Sequence, residues 1–100
     1  MKAAVFYGKE DLRIEELPIP EIKEDEALVR VHACGICGTD AHIFCGDEGA
    51  AQTPAGTVLG HEFAGEIVEL GKKVKGFRKG DRVCVDPNKL CNECHYCKSG

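Results

Sequence analysis

The runs C-G-T-D-A-H at residues 37–42 and G-H-E at residues 60–62 are the most informative part of this 100-residue chain. Cys37, His61 and Glu62 offer a sulfur, a nitrogen and an oxygen donor, and this mixed set suits zinc. Cys37 and His61 lie far apart in sequence, so only the folded chain could bring their side chains together. The two runs therefore predict one metal site built by the fold.

Three further polar side chains accompany these candidate ligands: the hydroxyl of Thr39, the carboxylate of Asp40 and the imidazole of His42. A catalytic zinc site keeps one coordination position open for water or substrate and needs proton carriers beside it, whereas a structural site needs neither. A single cysteine is commonly a small buried apolar residue, and a lone His-Glu pair is commonly a hydrogen-bonded loop. The combination of these groups, flanked by glycines, favours a catalytic site.

The seven cysteines are spaced for metal binding rather than for disulfide bonds. Cys91, Cys94 and Cys97 form a C-x2-C-x2-C pattern, in which one loop can wrap three thiolates around a single ion. The same spacing opens a bacterial iron–sulfur pattern, so the cluster alone leaves zinc and iron–sulfur open. Cys34 and Cys37 form another C-x2-C pair. The two remaining cysteines are interpreted as packing or surface thiols: Cys45 and Cys84.

Alternating apolar and polar residues, interrupted by glycine and proline, predict a mostly β fold. The predicted strands cover residues 1–7, 11–17, 27–34, 63–70 and 82–85. One short helix is predicted through residues 42–44, with Thr39 or Asp40 as its N-cap and with Thr39 and His42 on one side. Residues 46–56 are predicted to form an exposed loop over the site. Short strands with one short helix indicate a barrel-like module.

Composition excludes several classes of function. A net charge of −4 argues against nucleic acid and anionic membranes as partners. The chain has no apolar run of about 18 residues and no secretory segment at its start, so we predict a cytoplasmic protein. It also lacks a G-x-G-x-x-G phosphate loop, so no dinucleotide-binding domain is predicted within it.

The runs CGICGTDAH (34–42), GHEFAGEIVELG (60–71) and CNECHYC (91–97) resemble, in this order, zinc-dependent medium-chain alcohol and polyol dehydrogenases of the sorbitol and threonine dehydrogenase type. The resemblance covers residues 1–100. It implies the N-terminal GroES-like part of a catalytic domain, a partly open β-barrel with short helices. In the intact protein, the Rossmann domain would come after this segment of the chain. Residues 86–100 would form a truncated structural-zinc lobe whose fourth ligand lies after Gly100.

The resemblance also implies a role for each motif residue. Cys37, His61 and Glu62 would bind a catalytic zinc ion, and Asp40 would hold the imidazole of His61. The structural zinc ion would take the three cysteines at the end of the chain: Cys91, Cys94 and Cys97.

The chemistry that the resemblance implies is oxidation of a secondary alcohol or polyol to a ketone. The intact protein is expected to be a homo-oligomer. Thr39 would take the proton of the substrate and pass it toward His42, because an imidazole suits a proton relay near neutral pH. The hydride would pass to NAD or NADP, which the intact protein would bind. Chain 1–100 alone is expected to be inactive.

Other functions remain open at the level of sequence. A non-catalytic zinc-binding or protein-interaction module is the main alternative, but it would have no use for Thr39 and His42. A relative of the zinc-free quinone reductases is also conceivable, but such relatives lack these ligands. The motifs leave the substrate and the choice between NAD and NADP undetermined.

Overall fold

The computed structural model describes all 100 residues and contains six β-strands and two α-helices. Their bounds are β1 (Lys2–Gly8), β2 (Asp11–Glu16), β3 (Ala27–Gly35), α1 (Gly38–Cys45), β4 (Thr57–Val58), β5 (Glu62–Leu70), β6 (Arg82–Cys84) and α2 (His95–Ser99). The mostly β prediction is confirmed, and all five predicted strands are present. Only β4, with 2 residues, and α2, with 5, were not predicted, because such short elements show no periodicity.

The strands form two antiparallel three-stranded sheets, with orders β2-β1-β4 and β3-β5-β6. Neither sheet closes on itself, which confirms the partly open barrel. No Rossmann-type portion occurs among these residues. Neither helix is long and apolar enough to cross a membrane.

The core is small. Its buried apolar side chains come from β1, α1 and β5. These side chains are Ala3, Val5, Phe6, Ile43 and Ile67. Ile43 is the buried residue of the helix that follows the C-G-T-D run, and the N–H of Glu10, in the turn between β1 and β2, bonds to the carbonyl of Phe44 at 2.8 Å. This bond connects the end of the helix to the first sheet.

One expectation about burial is wrong. The alternation in residues 11–17 predicts a half-buried strand, but Leu12 is 42% exposed and Ile14 is 72% exposed. The reason is that β1 is the only element that makes extensive contact with β2, so no other layer covers the side chains of Leu12 and Ile14. Alternation predicted the strand correctly but did not show whether another layer covers its apolar face.

The ladder between β3 and β5 brings the C-G-T-D-A-H and G-H-E runs to one end of the second sheet. Gly65 on β5 allows the two strands to approach closely, since a Cβ atom there would lie 2.1 Å from the carbonyl oxygen of Arg30. The ladder ends at the pair Gly35 and Glu62. Because the strands are antiparallel, the chain leaves β3 at the point where it enters β5.

Candidate active site

The end of the β3–β5 ladder explains how two distant residues meet. Cys37 follows the last residue of β3 by two positions, and His61 immediately precedes the first residue of β5. Gly35 pairs with Glu62 at this end of the ladder, so the segments that carry the two side chains start from neighbouring points. The sheet therefore provides the contact that the sequence spacing could not.

Gly60 shapes the approach to His61. Its φ of +102° lies in the region that favours glycine. A Cβ atom at this position would also lie 2.7 Å from the Sγ of Cys34. The backbone conformation before His61 thus favours glycine, and the thiol of Cys34 would have to move to accommodate a larger residue.

The three predicted ligands of the catalytic ion lie together. The Sγ of Cys37 is 3.2 Å from the Nε2 of His61. One ligand atom each from Cys37, His61 and Glu62 lies within 4.8 Å of the others. A sulfur and a nitrogen bound to one tetrahedral zinc ion are about 3.5 Å apart, so this donor set fits zinc. Cys37 and His61 are half-buried and Glu62 is exposed. Metal binding by these residues stays a prediction.

Asp40 contacts both sides of this group. Its Oδ2 accepts a hydrogen bond from the backbone N–H of Cys37 at 3.1 Å, and its Oδ1 lies 3.6 Å from the Nδ1 of His61. The side chain is only 12% exposed. A carboxylate beside Nδ1 favours the tautomer with its proton on Nδ1, which leaves Nε2 free to face Cys37 and a metal ion.

The predicted N-cap of the helix is wrong by two or three residues. The helix begins at Gly38 with Cys37 as its N-cap, and not with Thr39 or Asp40. Asp40 occupies the third helical position, and its carboxylate reaches back to the N-cap N–H as in a capping box. Thr39 therefore lies inside the helix, where its hydroxyl has no capping role.

Thr39 and His42 line one depression of about 290 Å³ with loop residues 47–51. The predicted shared side of the helix for Thr39 and His42, and the predicted exposure of the loop, agree with this arrangement. The sequence analysis missed one partner: the Nδ1 of His42 lies 2.7 Å from the Oδ2 of Asp47. The pattern that could have indicated it is a glycine that ends the helix, directly followed by a carboxylate.

The second candidate metal group is the cysteine cluster near the end of the chain. The Sγ of Cys97 lies 3.5 Å from that of Cys91 and 3.4 Å from that of Cys94. Two sulfur atoms on one tetrahedral zinc ion are about 3.8 Å apart, so the cluster fits zinc as well. Asn92 supports the turn with a φ of +60°, a conformation that asparagine tolerates better than most residues.

Hydrogen bonds to backbone N–H groups also favour the thiolate form within this cluster. The N–H groups of Cys94 and Glu93 lower the pKa of Cys91 to about 6. The N–H of Cys94 lies 3.4 Å from the Sγ of Cys91. The thiolate is the form of cysteine that binds metal ions.

Comparison with known proteins identifies the family. The model of the alcohol dehydrogenase GroES-like domain matches residues 23–100. The chain belongs to this family. Its solved relatives include galactitol-1-phosphate dehydrogenase from Escherichia coli, which superposes with a TM-score of 0.88 at 36% identity and covers 100% of the chain.

Two curated relatives of the GroES-like domain are also dehydrogenases. Sorbitol dehydrogenase of Bacillus subtilis is 46% identical over 100% of the chain, and L-threonine 3-dehydrogenase of Escherichia coli is 39% identical over 100% of it. The chain spans 29% and 30% of the length of these two proteins and 28% of the galactitol-1-phosphate dehydrogenase chain. The resemblance inferred from the three motifs is thereby confirmed.

The other thiols of the GroES-like domain lie outside both candidate metal groups. Cys45 and Cys84 are free and exposed, as surface thiols should be. Cys34 is likewise exposed, and its Sγ is directed toward the carbonyl oxygen of Gly35 at 3.5 Å. Only Cys37 of the first C-x2-C pair therefore faces His61.

Metal binding by the cluster of Cys91, Cys94 and Cys97 can be tested separately from the catalytic site. Chain 1–100 is expected to hold an ion there weakly enough for a mild chelator to remove, because structural zinc sites use four protein ligands and three sulfur atoms converge here. Cobalt titration should show thiolate-to-cobalt absorption that Cys94→Ser weakens and Cys45→Ser leaves unchanged. A chelator-resistant ion, or an unchanged spectrum in Cys94→Ser, would contradict this assignment.

Proposed function

We propose that this chain is the N-terminal GroES-like part of the catalytic domain of a zinc-dependent dehydrogenase. In this proposal the intact dehydrogenase oxidises a secondary alcohol or polyol to a ketone and transfers the hydride to NAD or NADP. The observation that carries the proposal is the convergence of Cys37, His61 and Glu62 within 4.8 Å, at the start of the helix that holds Thr39 and His42.

The relatives support the class of substrate. Their names refer to sorbitol, threonine and galactitol-1-phosphate. All three compounds carry secondary hydroxyl groups, which is the group that the proposed reaction oxidises. The family as a whole supports a small-molecule alcohol substrate.

The donor set and the carboxylate behind it have separate tasks in this proposal. Cys37, His61 and Glu62 would hold the zinc ion, which supplies a Lewis acid that polarises the substrate hydroxyl. Asp40 would favour the tautomer of His61 with its proton on Nδ1, and its carboxylate accepts the N–H of Cys37 at the start of the helix. At the other end of the chain, residues 86–100 would serve as a structural lobe held by the three clustered cysteines.

Thr39 and His42 form the proposed path for the substrate proton. Thr39 accepts this proton at its Oγ while its own hydroxyl proton moves toward His42, so that one proton leaves for each one received. The two residues share one depression, and the His42 side chain is 65% exposed, so the proton can continue to solvent. A metal site that served only structure would not need this pair.

Activity measurements test the proposal. The intact dehydrogenase is expected to reduce NAD or NADP with a polyol such as sorbitol, to lose this activity when a chelator removes zinc, and to regain it when zinc returns. Chain 1–100 alone should show none, because it has no glycine loop of the kind that holds dinucleotide phosphates. Steady turnover by chain 1–100, or an intact protein indifferent to chelation, would contradict the proposal.

A further inference from the structure

We infer that Asp47 is a positioning residue that fixes the imidazole of His42, with Nδ1 as hydrogen-bond donor and Nε2 as the free proton acceptor. The inference rests on the proposed function, since it gives a second residue of the proton path a defined orientation. It concerns a side chain outside the metal-binding motifs, in the loop that follows α1.

The hydrogen bond sets the tautomer. The Oδ2 of Asp47 lies 2.7 Å from the Nδ1 of His42, which is a short distance for a nitrogen–oxygen hydrogen bond. A carboxylate can only accept hydrogen bonds, so Nδ1 must donate. In a neutral imidazole the other nitrogen then carries the lone pair, and Nε2 becomes the atom that can take a proton from Thr39.

The backbone places Asp47 at this position. The helix ends in a Schellman motif, in which the N–H of Gly46 bonds to the carbonyl of Ile43 at 3.2 Å and the N–H of Asp47 bonds to the carbonyl of His42 at 3.1 Å. Gly46 has the left-handed φ of +66° that this motif requires. Asp47 is therefore held to His42 twice, once through the backbone and once through the side chain.

The exposure of the pair separates positioning from folding. The side chains of His42 and Asp47 are 65% and 51% exposed. Exposed charged pairs contribute little to stability, because water screens them and their side chains lose freedom. Removing the Asp47 carboxylate should therefore leave the fold intact and change mainly the orientation and tautomer of His42.

Nuclear magnetic resonance tests the orientation without depending on activity. Long-range proton–nitrogen spectra of the intact dehydrogenase, with His42 assigned by His42→Gln, should show the Nδ1–H tautomer in the wild type. The spectra should show the same tautomer in Asp47→Asn, whose amide oxygen can still accept the bond. Asp47→Ala should shift His42 toward the Nε2–H tautomer. An unchanged tautomer in Asp47→Ala overturns the inference.

Kinetics test the consequence for the proton path. Asp47→Ala should lower the single-turnover rate of hydride transfer about 10-fold, by analogy with the lower end of the range for residues that orient metal-binding histidines. KM should not change, and Asp47→Asn should retain most of the rate. Asp25→Ala, which removes an exposed carboxylate outside the depression that holds Thr39 and His42, should match the wild type. Equal rates for Asp47→Ala and the wild type overturn the inference if Thr39→Val is slow.

The two readouts keep this inference separate from the proposed function. If Thr39→Val does not slow the reaction, the proposed relay fails, and the tautomer in Asp47→Ala alone decides whether Asp47 positions His42. If Thr39→Val is slow, the relay stands, and both the tautomer and the rate of Asp47→Ala must change for the inference to hold. If Asp47→Ala does not fold, Asp47→Leu, which also lacks a hydrogen-bond acceptor for His42, takes its place in both comparisons, and its melting temperature is measured beside that of the wild type.

Discussion

Replacing Thr39 with valine in the intact dehydrogenase is expected to lower kcat by about 10²–10⁴-fold, the usual contribution of general acid–base catalysis. Valine preserves the volume of the side chain but removes the hydroxyl that would accept the substrate proton. Zinc content should not change, because Thr39 is not among the three residues whose donors converge. Turnover and zinc per subunit should be measured on the same preparation.

The position of Thr39 in the helix makes this test sharper. If Thr39 were the N-cap, its replacement by valine would cost about 1 kcal/mol of stability and confuse the comparison. Cys37 is the N-cap instead, so the melting temperature should stay close to that of the wild type. Thr39→Ser keeps the hydroxyl and should keep most of the activity. A valine variant with near-wild-type kcat would exclude Thr39 from the proton path.

The second large effect is expected for Cys37→Ala. This variant should lose one zinc ion per subunit and fall below the detection limit for turnover, because a catalytic zinc site has only three protein ligands. The Sγ of Cys37 lies 3.2 Å from the Nε2 of His61, so its removal takes away the sulfur donor of the group. Zinc stoichiometry and kcat should therefore fall together.

Cys34 supplies a matched control from the same C-x2-C pair. Its Sγ packs near Gly60 and does not join the candidate metal group. Cys34→Ala should therefore retain the zinc ion and most of the turnover, with at most a modest change in melting temperature. If Cys34→Ala lost the ion and Cys37→Ala kept it, the assignment of the ligands within the pair would be wrong.

Most of the fold could be predicted because each of the five longer strands shows its own local pattern of apolar and polar residues. Residues 27–34 alternate and residues 63–70 are largely apolar, and the structure places β3 and β5 within one residue of these limits. The exposure of Ile14 could not be predicted in this way. Alternation identifies an apolar face, but whether that face is covered depends on the packing of distant segments.

The candidate site was predictable in its residue types and only partly in its contacts. Cys37, His61 and Glu62 stood out because their donors suit one metal, yet their convergence depends on the register of the β3–β5 ladder. The N-cap was misplaced because an aspartate such as Asp40 can serve either as the N-cap residue or as the N3 residue of a capping box. The bond from His42 to Asp47 was missed because it depends on how the helix ends at Gly46.

The double contact of Asp40 links metal affinity to local folding. The same carboxylate accepts a hydrogen bond from the N–H of Cys37 at the start of α1 and lies beside the ring of His61. By mass action, an ion that binds only the ordered arrangement stabilises it, by about 2.7 kcal/mol at a free concentration 100 times its Kd. Depletion of the ion should then loosen the first turn of the helix, so scarcity of zinc would disorder the Thr39 segment before the strands separate.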